Sequence, residues 1–220
     1  MNLEDRMKMY EGHYQTEIPR RMPVVMRLDG KCFHSLTEGC EKPFDAGLRS
    51  AILLGIRDLL EETPARMAYQ QSDEVSLLFV DYNRFDTEQW FGGNIQKMTS
   101  VAAAIMSVGF TRAWGKPGYF DARLIAIPER DIVNYFIWRQ QDCMRNAVSM
   151  ASRTVFSPKQ LHEKHGGERK AMLASKGVKF EDYDLGFRQG TVSTKTESMA
   201  APVFSKNRDF LEKFLTVEEE

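Results

Sequence analysis

The chain is short of cysteine, of long apolar runs and of charge imbalance, and each shortage removes a class of protein. Its three cysteines, Cys32, Cys40 and Cys143, form no C-x-x-C pair, and an odd, scattered count predicts reduced thiols instead of a disulfide framework. No apolar stretch reaches bilayer length, and the opening MNLEDRMKMYEGHYQTE is acidic, without the apolar segment of a secretory signal or anchor. A cytoplasmic protein with no membrane partner is the expectation. A formal net charge of −1 withholds the global basic signal of a dedicated nucleic-acid binder. Any RNA contact must come from a local patch. Residues 159–179 offer one in Lys159, Lys164, Arg169, Lys170, Lys176 and Lys179, a run equally suited to a solvated helical face. No repeat, low-complexity tract or Pro/Ser-rich linker divides the chain.

What is present suits one folded unit: 42% apolar and 28% charged residues over 220 positions can bury a core without long disorder. Residues 24–28 form a short apolar, β-rich run closed by Asp29-Gly30, which reads as a buried strand ending in a turn. Residues 45–60 carry Leu48, Ile52, Leu53, Ile56, Leu59 and Leu60 at helical spacing, with Asp45 as N-cap. Residues 66–69 and 75–80 read as a β-hairpin around Gln70-Gln71-Ser72-Asp73-Glu74. A helix is predicted over 94–108, a strand over 119–127 ended by Pro128, and a long amphipathic helix over about 131–156. On its apolar face Trp138 is expected in the core, whereas His162 and His165, with no third ligand nearby, read as surface residues.

The order βαββαβ, followed by helices, predicts an α+β fold of ferredoxin-like, split βαβ type. It also carries a functional consequence. The crossover makes the first two strands parallel, so the end of the first strand and the hairpin turn share one sheet edge, and Asp29 and Asp73 converge. Two carboxylates beside backbone carbonyls suit Mg²⁺, a hard ion that keeps waters and phosphate oxygens in its shell. A pair of such ions serves in-line phosphoryl transfer. Gly30 would admit close backbone approach, with Arg27, Lys31 and His34 around the same turn as phosphate donors. Taken singly, an Asp-Gly at a strand end is more often only a turn.

A series of motifs in one order raises those odds. Arg27-Leu28-Asp29-Gly30, Phe33-His34, Lys42-Pro43, Gln71-Ser72-Asp73-Glu74, Phe120-Asp121, Arg123 and Trp138-Arg139-Gln140 resemble the signature of the histidine-tRNA guanylyltransferase family. The resemblance implies a polymerase-palm-like core over roughly residues 20–130 and a helical, RNA-contacting extension over roughly 131–220, together one catalytic domain. It implies nucleotide addition to tRNA 5′ ends in the 3′-to-5′ direction, with ATP and GTP as substrates, two Mg²⁺ per site, and a homotetramer with tRNA as partner. Asp29 and Asp73 would be side-chain metal ligands and Gly30 a carbonyl ligand. Arg27, Lys31, Phe33, His34, Lys42, Asp45, Ser72, Lys97 and Ser100 would surround the nucleotide, and Arg123, Arg139 and Asn146 would bind RNA or serve structure. In the implied mechanism the 3′ hydroxyl of an incoming nucleotide attacks the activated 5′ end, one ion lowering its pKa and the second neutralising the triphosphate.

The sequence also departs from the eukaryotic pattern. Where those members carry His-Ile-Asn-Asn, Met144-Arg145-Asn146-Ala147 stands, and Asn94 and Ile95 replace an arginine pair ahead of Lys97. These departures resemble the bacterial and archaeal guanylyltransferase-like branch, associated with template-directed repair of 5′-truncated tRNAs, the alternative being histidine-tRNA guanylylation proper. A nucleotide cyclase or cyclic-dinucleotide synthase shares such a core, but the chain has no Gly-Gly-Asp/Glu-Glu-Phe hairpin. A non-catalytic RNA-binding protein on a palm fold is the alternative of another class, disfavoured by retention of Asp29, Asp73, Lys42 and Lys97.

Overall fold

A computed structural model describes residues 1–82, 84 and 86–216; the last part of the expected extension, 217–220, lies outside the described residues. The predicted core elements are all present. The helix α1 (Leu3–Gly12) precedes β1 (Val24–Gly30), the short turn helix α2 (Phe33–Leu36), α3 (Ala46–Glu62), the hairpin β2 (Met67–Gln71) and β3 (Glu74–Phe79), α4 (Ile95–Trp114) and β4 (Phe120–Ala126). Beyond them run the long helix α5 (Glu129–Arg153), α6 (Pro158–Leu161), α7 (Gly166–Ser175), α8 (Leu185–Gln189), the strands β5 (Thr191–Ser193) and β6 (Ser198–Ala200), and α9 (Asp209–Glu212).

The strands form one six-stranded antiparallel sheet in the order β4-β1-β3-β2-β5-β6. Strands β1 and β2 both run antiparallel to β3 and are therefore parallel to each other, as the crossover through α3 requires. Alternation along β1 sends Val24, Met26 and Leu28 to one face, where α3 and α4 add Ile52, Ile56, Leu59, Met106 and Phe110. The helices approach closely because Gly109 has no side chain: a Cβ there would stand 2.9 Å from the Gly55 Cα. The opposite face buries Val25, Tyr69 and Leu78 against Phe136 of α5 and against Phe204. A third apolar cluster, Ala147, Val148, Ala151, Phe156, Leu161, Leu173 and Phe180, binds α6 and α7 to the distal half of α5.

Three features differ from expectation. The helix α1 has no buried residue and forms in the polar opening segment, for which no element is predicted. The strands β5 and β6 widen the sheet from four strands to six, and at three residues each they are too short to carry an alternation pattern. Trp138 is not in the core: half of it, 50%, is exposed on the flank of α5. Among the described residues, no helix is long and apolar enough to cross a membrane.

Candidate active site

Asp29 and Asp73 meet at one end of the sheet. Leu28 on β1 pairs with Val75 on β3, which brings Asp29 level with the turn that joins β2 to β3. That turn is short, since Gln71 and Glu74 are paired and only Ser72 and Asp73 lie between them. Ser72 is held at φ 50°, a left-handed conformation that costs a non-glycine residue free energy, and its carbonyl accepts a 2.6 Å hydrogen bond from Gln70 Nε2. Both carboxylates line a cleft of about 440 Å³ whose other walls include Phe44, Asp45, Arg49 and Phe187. Its size is that of small-molecule sites in general.

The hairpin carries two adjacent acids with opposite fates. Glu74 is buried and receives Nε and Nη2 of Arg139 at 2.6 and 2.8 Å, a forked pair, with Arg27 Nη2 at 3.1 Å and Gln71 Nε2 at 3.1 Å. Arg139 also reaches Asp142 at 2.9 Å, and these carboxylates more than offset the burial that works against its charge, so its pKa is raised. Asp73, on the cleft side, has no such arginine. Burial pushes its carboxyl up from the ordinary 3.8, and the negative charge of Asp29 adds to the push, while backbone and Ser72 hydrogen bonds oppose it. A carboxyl whose ionisation is disfavoured by burial and by a second carboxylate close by, beside a strand-end carbonyl, belongs to a donor set suited to a hard divalent cation. Among the described residues no group of three or more His, Cys, Asp or Glu side chains gathers to bind metal, so any such ion would rely on Asp29, Asp73 and oxygen ligands of backbone, water or phosphate.

Gly30 has a steric reason to be glycine. A Cβ there would lie 2.2 Å from Cδ2 of Phe33, whose ring tucks beneath the turn and packs on Phe110 and Phe120 at 5.2 and 5.0 Å. The Phe33 side chain is 5% exposed and supports the turn from below. Lys31 and His34 are exposed on the same turn. Lys42, also exposed, donates to the Thr37 carbonyl at 3.4 Å. Asp45 lines the cleft while capping α3, accepting N–H bonds from Leu48 at 2.8 Å and Glu41 at 3.1 Å, which hold its pKa low.

Lys97 and Ser100 are not brought to this site. Strand β3 runs away from Asp73, so α4 begins at the far end of the sheet, where Ile95 N–H bonds the Thr16 carbonyl, and only its last turns return to Phe33. From Lys97 to Phe110 the helix covers about 20 Å. Both residues face solvent there, and Ser100 Oγ donates to the Gln96 carbonyl at 2.6 Å. Arg139, for which RNA binding and a structural role are both expected, is buried and ion-paired with Glu74 and Asp142. Asn146 is exposed at the cleft and lies 3.5 Å from Asp142. Arg123 is half-exposed, ion-paired with Asp121 at 3.0 Å and opposite Arg27 in the strand register. Sequence reasoning missed Glu74, Arg49 and Phe187. Arg49 Nη2 donates to Thr191 at 3.0 Å and Nη1 pairs with Asp184 at 3.2 Å, partners distant in sequence that no local pattern indicates.

Comparison with known proteins gives a consistent picture. The family model described as Thg1, tRNAHis guanylyltransferase, matches residues 4–128. The tRNA(His) guanylyltransferase of Debaryomyces hansenii is 31% identical over 139 residues, 56% of this chain and 50% of that protein. The chain spans 50–63% of the length of the curated relatives that head the comparison. Among solved structures, a bacterial tRNA(HIS) guanylyltransferase (Thg1)-like protein in complex with ATP superposes with a TM-score of 0.93 at 35% identity, covering 98% of this chain and 100% of that one. A second such structure, in complex with GTP, gives a TM-score of 0.85 at 32% identity over 98% and 99%.

Proposed function

The chain belongs to the Thg1, tRNAHis guanylyltransferase, family, and from that premise we propose that it adds nucleotides to tRNA 5′ ends in the 3′-to-5′ direction. The observation that carries the reading is the convergence of Asp29 and Asp73 at the mouth of a nucleotide-sized cleft. The bacterial relatives solved with ATP and GTP support triphosphates as substrates. The strand order β4-β1-β3-β2 around two crossover helices supports a ferredoxin-like, palm-type core, with the helices after β4 as its extension in one catalytic domain.

Asp29, Asp73 and the Gly30 carbonyl would hold Mg²⁺, two ions per site. Such ions make the attacking hydroxyl more acidic and neutralise the charge of the triphosphate. The chain itself positions the reactants. The Ser72 turn, fixed by Gln70, sets Asp73, and the Glu74–Arg139 fork anchors the hairpin from behind. Lys31, His34 and Lys42, exposed on the segments that follow β1, would serve as phosphate partners. In the reaction the 3′-oxygen of the incoming nucleotide bonds to the 5′-terminal phosphorus. The bond to the leaving group breaks, releasing pyrophosphate from a triphosphorylated end or AMP from an ATP-activated one, and the hydroxyl proton passes to solvent.

We favour template-directed 5′-end repair over recognition of one tRNA. Arg145 is tied to Asp142 at 3.0 Å, and only Asn146 of the 144–147 segment retains the amide of the eukaryotic pattern. The free Cys32, Cys40 and Cys143 support a reducing, cytoplasmic setting. The helix α1 supports self-association, as a homotetramer, because it exposes Leu3, Met7, Met9 and Tyr10 and buries nothing, and ten-residue helices are marginal alone. The test is Asp29→Asn and Asp73→Asn. Each should lower nucleotide addition by more than about a hundredfold with the fold retained, and wild-type turnover by either would remove the assignment.

A further inference from the structure

We infer that the open sheet face over β1 and β4, bordered by Trp138, is a stacking subsite for a nucleobase beside the carboxylate pair; this rests on the nucleotidyltransferase reading. Alternation sends Arg27 and Asp29 of β1, and Asp121 and Arg123 of β4, to the side of the sheet on which α5 lies. The helix covers only part of that side. Its Tyr135 touches Ser76 of β3 at 3.2 Å and its Arg139 grips Glu74, while the outer strand leaves Asp121 and Arg123 exposed. Gln140 of α5 turns the other way, to Pro202 and Phe204, so Trp138, packed on Tyr135 and Arg139, falls on the flank of α5 nearer this gap.

Three observations make Trp138 more than an incidental surface aromatic. Ile132, Val133 and Phe136 on the same helix are buried, whereas Trp138 is 50% exposed. The indole is held in place, with the Arg139 guanidinium 4.4 Å over the ring and Tyr135 meeting it edge-on at 5.8 Å. Arg139 is itself locked by Glu74, so the indole is a preorganised platform and a ligand stacking on it orders little that is not already ordered. The platform is also continuous with the catalytic end. Trp138 leads through Arg139 to Glu74, the neighbour of Asp73, and Arg27 links the same Glu74 to the strand that ends in Asp29. Arg27 Nε is buried without a partner, and Arg123, across from it in register, is half-exposed. An aromatic face with arginines beside a phosphate-transfer centre recognises a base with its phosphate.

The base can belong to a free triphosphate or to an RNA 5′ end, and binding separates the two. GTP, a short 5′-phosphorylated oligoribonucleotide and inorganic triphosphate are titrated with Mg²⁺ into wild type and into Trp138→Phe, Trp138→Leu and Trp138→Ala, each checked by thermal melting. Trp138→Leu should weaken at least one base-bearing ligand by about 5- to 150-fold, Trp138→Phe should restore most of the loss, and inorganic triphosphate should be unaffected. Loss with GTP assigns the incoming nucleotide, and loss with the oligonucleotide alone assigns the RNA end. Wild-type affinity of Trp138→Leu for both, or an equal loss for inorganic triphosphate, overturns the subsite. Because binding is read without turnover, a protein that shows the Trp138 dependence yet adds no nucleotide would overturn the catalytic reading alone.

Discussion

Removing one member of the Glu74–Arg139 pair should destabilise the protein far more than removing both. The Arg139 side chain is 6% exposed and that of Glu74 10%, so neither charge can be resolvated in place if its partner disappears. Truncating one partner of a buried pair costs about 3–5 kcal/mol, most of it the penalty of the charge left behind. For a chain of 220 residues that corresponds to a fall in Tm of about 6–20 °C. Arg139→Met should therefore melt well below wild type, and so should Glu74→Leu, which leaves the buried guanidinium without its carboxylate. In Glu74→Leu/Arg139→Met no buried charge is orphaned. Arg27 and Asp142, with side chains 23% and 32% exposed, are left close enough to water to be solvated. The double variant should be more stable than either single variant, which means a recovery of at least about 3 kcal/mol relative to the sum of the single changes. Urea unfolding of the four proteins measures the cycle. Strictly additive losses, or an Arg139→Met loss below about 1 kcal/mol, would refute the claim that the fork anchors the hairpin.

Two further outcomes follow from the site's geometry. Gly30→Ala should lose about 1–3 kcal/mol in denaturant unfolding, because the new Cβ overlaps the Phe33 ring, and pairing it with Phe33→Leu should return part of the loss; no loss would mean that the turn is loosely packed. Asp73 has a folded pKa raised above the ordinary 3.8, so its ionisation costs stability as pH rises through the folded value. Metal-free Asp73→Asn should thus melt above wild type at neutral pH, the gap closing as pH falls toward 3.8. A variant equal to wild type at every pH would contradict the placement of the two carboxylates.

Most of what positions Asp29 and Asp73 was legible, because strand-end and hairpin-turn signals are local and the crossover rule ties the two ends together. The division of labour between Asp73 and Glu74 was not. The two are adjacent and chemically alike, and what separates them is that one lies in the turn and the other on β3 against Arg139, 65 residues away. Trp138 was misplaced because helical periodicity locates the apolar face of α5 but does not reveal how far the sheet beneath it extends. Lys97 and Ser100 share the predicted helix face, yet the direction of β3 already requires α4 to start at the end remote from Asp73. The motif resemblance alone did not include that constraint. The β5 and β6 strands owe their existence to pairing with β2 and with each other, and neither TVS nor SMA announces it.

The central claim, that this chain extends RNA 5′ ends against a template, is tested most directly by supplying the purified protein with Mg²⁺, ATP, GTP, CTP and UTP. The substrates are 5′-truncated tRNAs that differ in the base opposite the missing position and in the anticodon, and the added nucleotide is mapped. Changing the opposing base should change the nucleotide added, while changing the anticodon should leave it the same. Addition of guanosine only to tRNAs with the histidine anticodon, whatever base lies opposite, or no addition to any of them, would contradict the account.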